Sequence, residues 1–116
     1  MRHQKKTVKL GRTRAPRQAL LRNLAESLIL HGAIVTTKAK AKALRSVVEP
    51  LVTKAKKGRP VDREGIMSVL YTGKAVKKLV DDLAPRYAER RGGYTRITKI
   101  GTRSSDGGEK VKIEFV

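Results

Sequence analysis

One short run concentrates the side chains able to do chemistry: Arg90, Arg91, Gly92, Gly93, Tyr94, Thr95, Arg96 and Ile97. Guanidinium groups bind phosphate oxygens bidentately or stack on bases, glycines admit a ligand close to the backbone, and a tyrosine offers a flat face. Together they point to an anionic, nucleic-acid-like partner. The same run also reads as a helix-to-strand connection whose glycine pair makes the turn, with Tyr94 tucked into the core, since tyrosines are commonly half-buried. Stacking on RNA and packing inside both stay open for Tyr94.

Catalytic constellations do not emerge elsewhere. The chain has no cysteine, which excludes a disulfide framework, a thiol nucleophile, a zinc finger and an iron–sulfur site. His3 and His31 make a poor metal set. The pairs Gly92–Gly93 and Gly107–Gly108 lack the spacing and Lys-Ser/Thr ending of a phosphate loop, and no Ser sits in a G-x-S-x-G elbow. Asp81 and Asp82 are neighbours, so on a helix they point about 100° apart and do not converge as an acid–base pair; they read as exposed charge beside Lys77 and Lys78. The expectation is a non-enzyme that needs neither metal nor cofactor.

Charge decides the class of partner. In 116 residues, 28 Lys and Arg stand against 10 Asp and Glu, a net charge of +18. Such an excess repels itself, and a polyanion is its natural neutraliser because Lys and Arg displace the condensed counterions of nucleic acid. The bias is local. Arg2, Lys5, Lys6, Lys9, Arg12, Arg14, Arg17 and Arg22 open the chain with no acid among them, and Arg86, Arg90, Arg91, Arg96, Lys99 and Arg103 meet only Glu89. By contrast, 58–84 and 104–116 are nearly balanced and read as ordinary solvated surface. No apolar run approaches the ~20 residues of a membrane span, and no apolar stretch follows the opening Met1-Arg2-His3, so neither a membrane nor a secretory signal is expected. A mitochondrial presequence is also basic and acid-poor; the absence of Ser from this stretch argues against one.

The elements that must position these residues follow from periodicity. Residues 1–13 show no helical or strand period and read as an extended basic arm that orders on its partner, ahead of a single α+β domain over 14–116. Leu20, Leu21, Leu24, Ala25 and Leu28 give a helix from about Pro16 to His31, closed by Gly32. Ala33 to Thr36 is a short β-prone run, and Thr37 caps the next helix. There Leu44, Val47, Val48, Leu51, Val52 and Ala55 form the strongest amphipathic pattern, which Pro50 should bend or split. Lys38, Lys42 and Arg45 share one stripe of that helix, with Lys40 off the line; like charges at this spacing suit either a bound anion or a wet face. Gly58, Arg59 and Pro60 make a linker, Asp62 caps a short helix with Ile66, Met67, Val69 and Leu70, and Val76 to Leu83 builds another that stops before Pro85. Tyr94–Ile100 and Lys110–Val116 read as strands joined by the turn chemistry of Asp106, Gly107 and Gly108. The order α-β-α-α-α-β-β implies helices on one face of a three-stranded sheet.

Familiar nucleic-acid modules fit poorly. Phe115 is the lone Phe, too few aromatics for a base-stacking sheet, and Ile34–Thr36 sits where a helix-turn-helix needs a tight turn. Backbone and shape recognition by Lys and Arg suits this composition better.

Met1-Arg2-His3, Thr36-Thr37 with Lys40-Ala41-Lys42, Val48-Glu49-Pro50-Leu51 with Ala55-Lys56, Ala84-Pro85-Arg86-Tyr87-Ala88 and Gly92-Gly93-Tyr94-Thr95-Arg96-Ile97 occur in an order and spacing that resembles the bacterial-type large-subunit ribosomal protein L-seventeen family. The likeness covers essentially the whole chain. It implies one α+β domain with a small mixed sheet, and a structural protein that binds large-subunit rRNA near the nascent-peptide exit surface beside neighbouring large-subunit ribosomal proteins. Its place would be cytoplasmic, on the ribosome, with no membrane and no small-molecule substrate. Carried over by position, the arm and helix start with Arg2, His3, Lys5, Lys6, Lys9, Arg12, Arg14, Arg17 and Arg22 would enter RNA. Lys38, Lys40, Lys42 and Arg45, then Arg90, Arg91, Tyr94, Arg96, Lys99 and Arg103, would add contacts. The competing classes are a free-standing DNA- or RNA-architectural protein, which should bind duplex DNA comparably, and an RNA-processing enzyme, which must show turnover.

Overall fold

The computed structural model describes residues 14–102 and 109–116. The expected basic arm, with Arg2, His3, Lys5, Lys6, Lys9 and Arg12, the contact at Arg103, and the turn at Asp106–Gly108 lie outside the described residues. Helix α1 spans Arg14–His31 and strand β1 Ala33–Thr37, followed by α2 (Lys38–Lys57) and α3 (Pro60–Met67). Then α4 (Gly73–Lys78) runs through a π-helical turn, Leu79–Leu83, into a last α-turn, Ala84–Arg86, before strands β2 (Thr95–Thr102) and β3 (Glu109–Phe115).

Local chemistry explains most boundaries. Gly32 ends α1 at φ 83°, donating its N–H to the Leu28 carbonyl at 2.7 Å. Thr37 starts α2 by accepting the Lys40 N–H on its hydroxyl at 3.3 Å. Gly58 closes α2 by donating to the Lys54 carbonyl at 3.1 Å, and Pro60 takes the first turn of α3, where its missing N–H costs nothing.

Three expectations need correction. Of the two outcomes expected at Pro50, a bend or a split, the split does not occur, and α2 stays continuous with Pro50 exposed inside it. Asp62 does not cap α3: Arg59 holds the cap position, Asp62 lies in the first turn against it, and Val69 and Leu70 fall beyond the helix end. The fourth helix starts at Gly73, capped by the Thr72 hydroxyl, and does not stop before Pro85. Its turn widens instead: the Ala84 N–H reaches back five residues to the Leu79 carbonyl, which accommodates a proline that has no N–H to give.

The sheet order is β1-β3-β2, and both pairings are antiparallel. The mixed sheet implied by the resemblance is therefore corrected. β1 and β2 would have to pair side by side to make a parallel ladder, and β3 stands between them. β3 takes the centre because its alternating Val111, Ile113 and Phe115 turn one apolar face inward, with Ile34 and Ile97 opposite Ile113 in register. Helix α2 crosses this face and touches all three strands. Its buried Leu44, Val48, Leu51, Val52 and Ala55 join Leu28 and Ile29 of α1, Ile66 of α3 and Leu79 and Leu83 of the π turn in one contiguous core. At the open end of the sheet, Tyr87, Tyr94 and Phe115 cluster, with the Tyr87 ring centroid 5.3 Å from Tyr94 and 6.4 Å from Phe115.

Candidate nucleic-acid interface

Positions near 90 reach α2 through two polar ties. The Glu49 carboxylate accepts the Thr95 N–H at 3.0 Å and its hydroxyl at 2.8 Å, fixing the start of β2 to mid-α2. Two turns later, Lys56 donates to the Arg90 carbonyl and, at 2.9 Å, to the Tyr94 hydroxyl, which itself donates to the same carbonyl at 3.2 Å. The Lys56 ammonium also stands 5.1 Å from the centre of the Tyr94 ring. Gly93 at φ 62° makes the bend that returns the chain into β2, a conformation an L side chain would strain. Arg90, Arg91 and Gly92 are left exposed on the corner so formed.

Tyr94 itself is settled by this packing. Its ring is 1% exposed, so it offers no face to a base and is a core residue rather than a stacking one. Tyr71 is the exposed ring, at 52%, and the Arg22 guanidinium covers it at 5.6 Å from the centroid.

The other expected contacts divide into two groups. Lys38, just after β1, and Lys99 of β2 converge from either side of β3 on Glu109 at 3.2 and 3.3 Å, and Arg96 pairs with Glu114 at 2.9 Å. These cations hold both carboxyls below the usual glutamate range, Lys38 before Lys99 at Glu109 and Arg96 before Lys112 at Glu114. Ion pairs this open contribute little, so an incoming phosphate can compete with them. Lys40, Lys42, Arg45, Arg90 and Arg91 pair with no carboxylate among the described residues, and neither do Arg17 and Arg22. Arg14 opens α1.

Most acids of the described residues are taken up by partners within the chain, whereas Glu64, Asp81 and Glu89 stay exposed. Glu26 accepts the Thr72 N–H, Glu49 holds Thr95, Asp62 holds Arg59 at 2.6 Å, and Asp82 holds Arg86 at 3.2 Å and Lys78 at 3.8 Å. Lys56 and the neighbouring Lys54, Lys57 and Arg59 were not among the expected contact residues. Their signal was there: lysines crowd the last turn of the strongest amphipathic helix. No group of three potential metal ligands occurs among the described residues, and no helix there is long and apolar enough to cross a membrane.

A small α+β scaffold that pairs most of its described carboxylates and leaves a surplus of cations outward defines a cationic structural module. The chain belongs to the ribosomal protein L17 family, whose model matches residues 20–116. Members of that family are structural proteins of the large ribosomal subunit and not enzymes. Among its relatives, the large ribosomal subunit protein bL17 of Akkermansia muciniphila is 51% identical over all of this chain and 85% of its own length. The bL17 of an Exiguobacterium species is 51% identical, covering 93% of this chain and 97% of its own. That of Clostridium botulinum is 46% identical, covering 93% and 96%.

Proposed function

We propose that this chain is a structural constituent of the large ribosomal subunit that binds large-subunit rRNA. It does so through a basic arm, residues 1–13, leading a single domain over 14–116, and through the Arg90–Arg91–Gly92 corner. The stripe Lys38, Lys42 and Arg45 with Lys40 beside it, the helix-start residues Arg14, Arg17 and Arg22, and Arg96, Lys99 and Arg103 supply further phosphate contacts. Its position is on the ribosome's outer surface near the nascent-peptide exit, in the cytoplasm, beside other large-subunit proteins. The observation that carries this reading is the disposition of charge: most carboxylates of the described residues have partners within the chain, while Lys42, Arg45, Arg90 and Arg91 stand exposed without an acid among those residues. Phosphates are their natural counterions, positioned by charge and backbone contacts rather than by base reading.

Competition binding tests the reading. The full chain, bound to a labelled large-subunit rRNA fragment, should be displaced by unlabelled rRNA at far lower concentration than by duplex DNA. Equal displacement by duplex DNA would make it a general architectural protein instead.

A further inference from the structure

A groove runs between the second half of α2 and the Gly92 corner, walled by Thr53 and Lys57 on one side and by Arg91 and Gly92 on the other, with Arg59, Asp62 and Lys54, whose ammonium lies against Gly65 of α3, at its end. Two carboxylates line it, Glu49 and Asp62, and both are engaged: Glu49 by Thr95, Asp62 by the Arg59 guanidinium at 2.6 and 3.1 Å. Lys54, Lys57 and Arg91 form no ion pair among the described residues, although Lys57 stands near enough to Asp62 to help hold its carboxyl low. The N–H groups of Gly92 and Gly93 make no backbone hydrogen bond there either, and nothing lies within 4 Å of where a Gly92 Cβ would stand. Lysines in a last helical turn complement the helix dipole. That role accounts for Lys54 and Lys57 but not for Arg91, which faces them from a separate element.

The groove also continues the expected stripe. Lys42, Ser46, Glu49, Thr53 and Lys57 follow one another at i, i+4, i+7, i+11 and i+15 on the outer side of α2, a track of about 22 Å at 1.5 Å per residue. Its one acid, Glu49, is the residue drawn aside onto Thr95. We infer that the Lys54–Lys57–Arg91 groove holds backbone phosphates of an RNA strand that follows α2 from Lys42 to the Gly92 corner. The inference rests on the rRNA reading above and adds a contact surface to it.

The test is the Lys54→Gln, Lys57→Gln double variant of the full chain, measured for affinity to large-subunit rRNA across salt concentrations. Losing two phosphate contacts should weaken binding about 10- to 30-fold near 0.1 M salt and lower the log–log salt slope by about 1.4 to 1.8. Binding and slope equal to the parent chain would overturn the groove while leaving the rRNA reading intact; a parent chain that binds no rRNA would end both. A photoreactive side chain placed at Thr53 provides a second readout in assembled large subunits, independent of the variant's folding. Cross-links to RNA are expected. Cross-links only to a neighbouring protein, or none, would assign the groove to another partner and overturn the proposal.

Discussion

At Tyr94 the ring and the hydroxyl act separately. The ring fills the aromatic corner with Tyr87 and Phe115, and the hydroxyl links Lys56 to the Arg90 carbonyl. Tyr94→Phe should therefore cost only about 1 kcal/mol of stability, and Tyr94→Ala about 3–5 kcal/mol, by urea unfolding. RNA affinity of the folded Phe variant should be unchanged; because phenylalanine keeps the ring, a large loss of affinity without loss of stability would show that the hydroxyl, with Lys56 and the Arg90 carbonyl, shapes the RNA contact. Asp62 gives a pH prediction. The Arg59 hydrogen bond holds its carboxyl below the ordinary aspartate value, so the proton prefers the unfolded chain. The pair's contribution is present at neutral pH and is lost as pH falls through and below the usual carboxylate range. Asp62→Asn should flatten the acid side of the stability–pH curve, and a curve identical to the parent's would show that the pair adds nothing. Neither result could be foreseen from residue type. The partner of Asp62 is only three positions away, yet the Lys56–Tyr94 link spans 38 residues and depends on how α2 lies across the sheet.

Elements were legible where one periodic pattern decided them. The apolar spacing of α2, the alternation of β3 and the cap at Thr37 are local signals, and the fold uses each of them. Thr37→Ala should cost about 1 kcal/mol through the lost cap, measured by thermal unfolding. Gly65 in α3 is open to improvement. A Cβ there would meet the Lys54 Nζ at 3.0 Å, and a lysine tip can swing away, so Gly65→Ala should raise stability by up to about 1 kcal/mol from helix propensity. Destabilisation would mean that the Lys54 stem is fixed against α3. What local pattern could not supply was sheet order, because β3 enters between β1 and β2 through pairings some 80 positions apart, such as Ala33 with Glu114. The run across Pro85 was hidden for a related reason: the proline signals a stop, and only the packing of Leu79 and Leu83 into the core holds the widened turn open.

On the scale of the molecule, the sequence signalled its partner class through charge, and the fold adds how that charge is deployed. Glu109 gathers Lys38 and Lys99, and Glu114 gathers Arg96 and Lys112, so several expected RNA contacts sit in exposed ion pairs that a phosphate must displace. Arg45, Arg90 and Arg91 need no such exchange. The reading of an rRNA-binding constituent accordingly predicts that binding is dominated by phosphate contacts. The most direct test is the salt dependence of binding between the full chain and large-subunit rRNA. The logarithm of affinity should fall linearly with the logarithm of salt, with a slope of several units at ~0.7–0.9 per contact, and the slope should flatten when residues 1–13 are removed or when Arg90 and Arg91 are both changed to Gln. A slope near zero in the full chain would contradict the account.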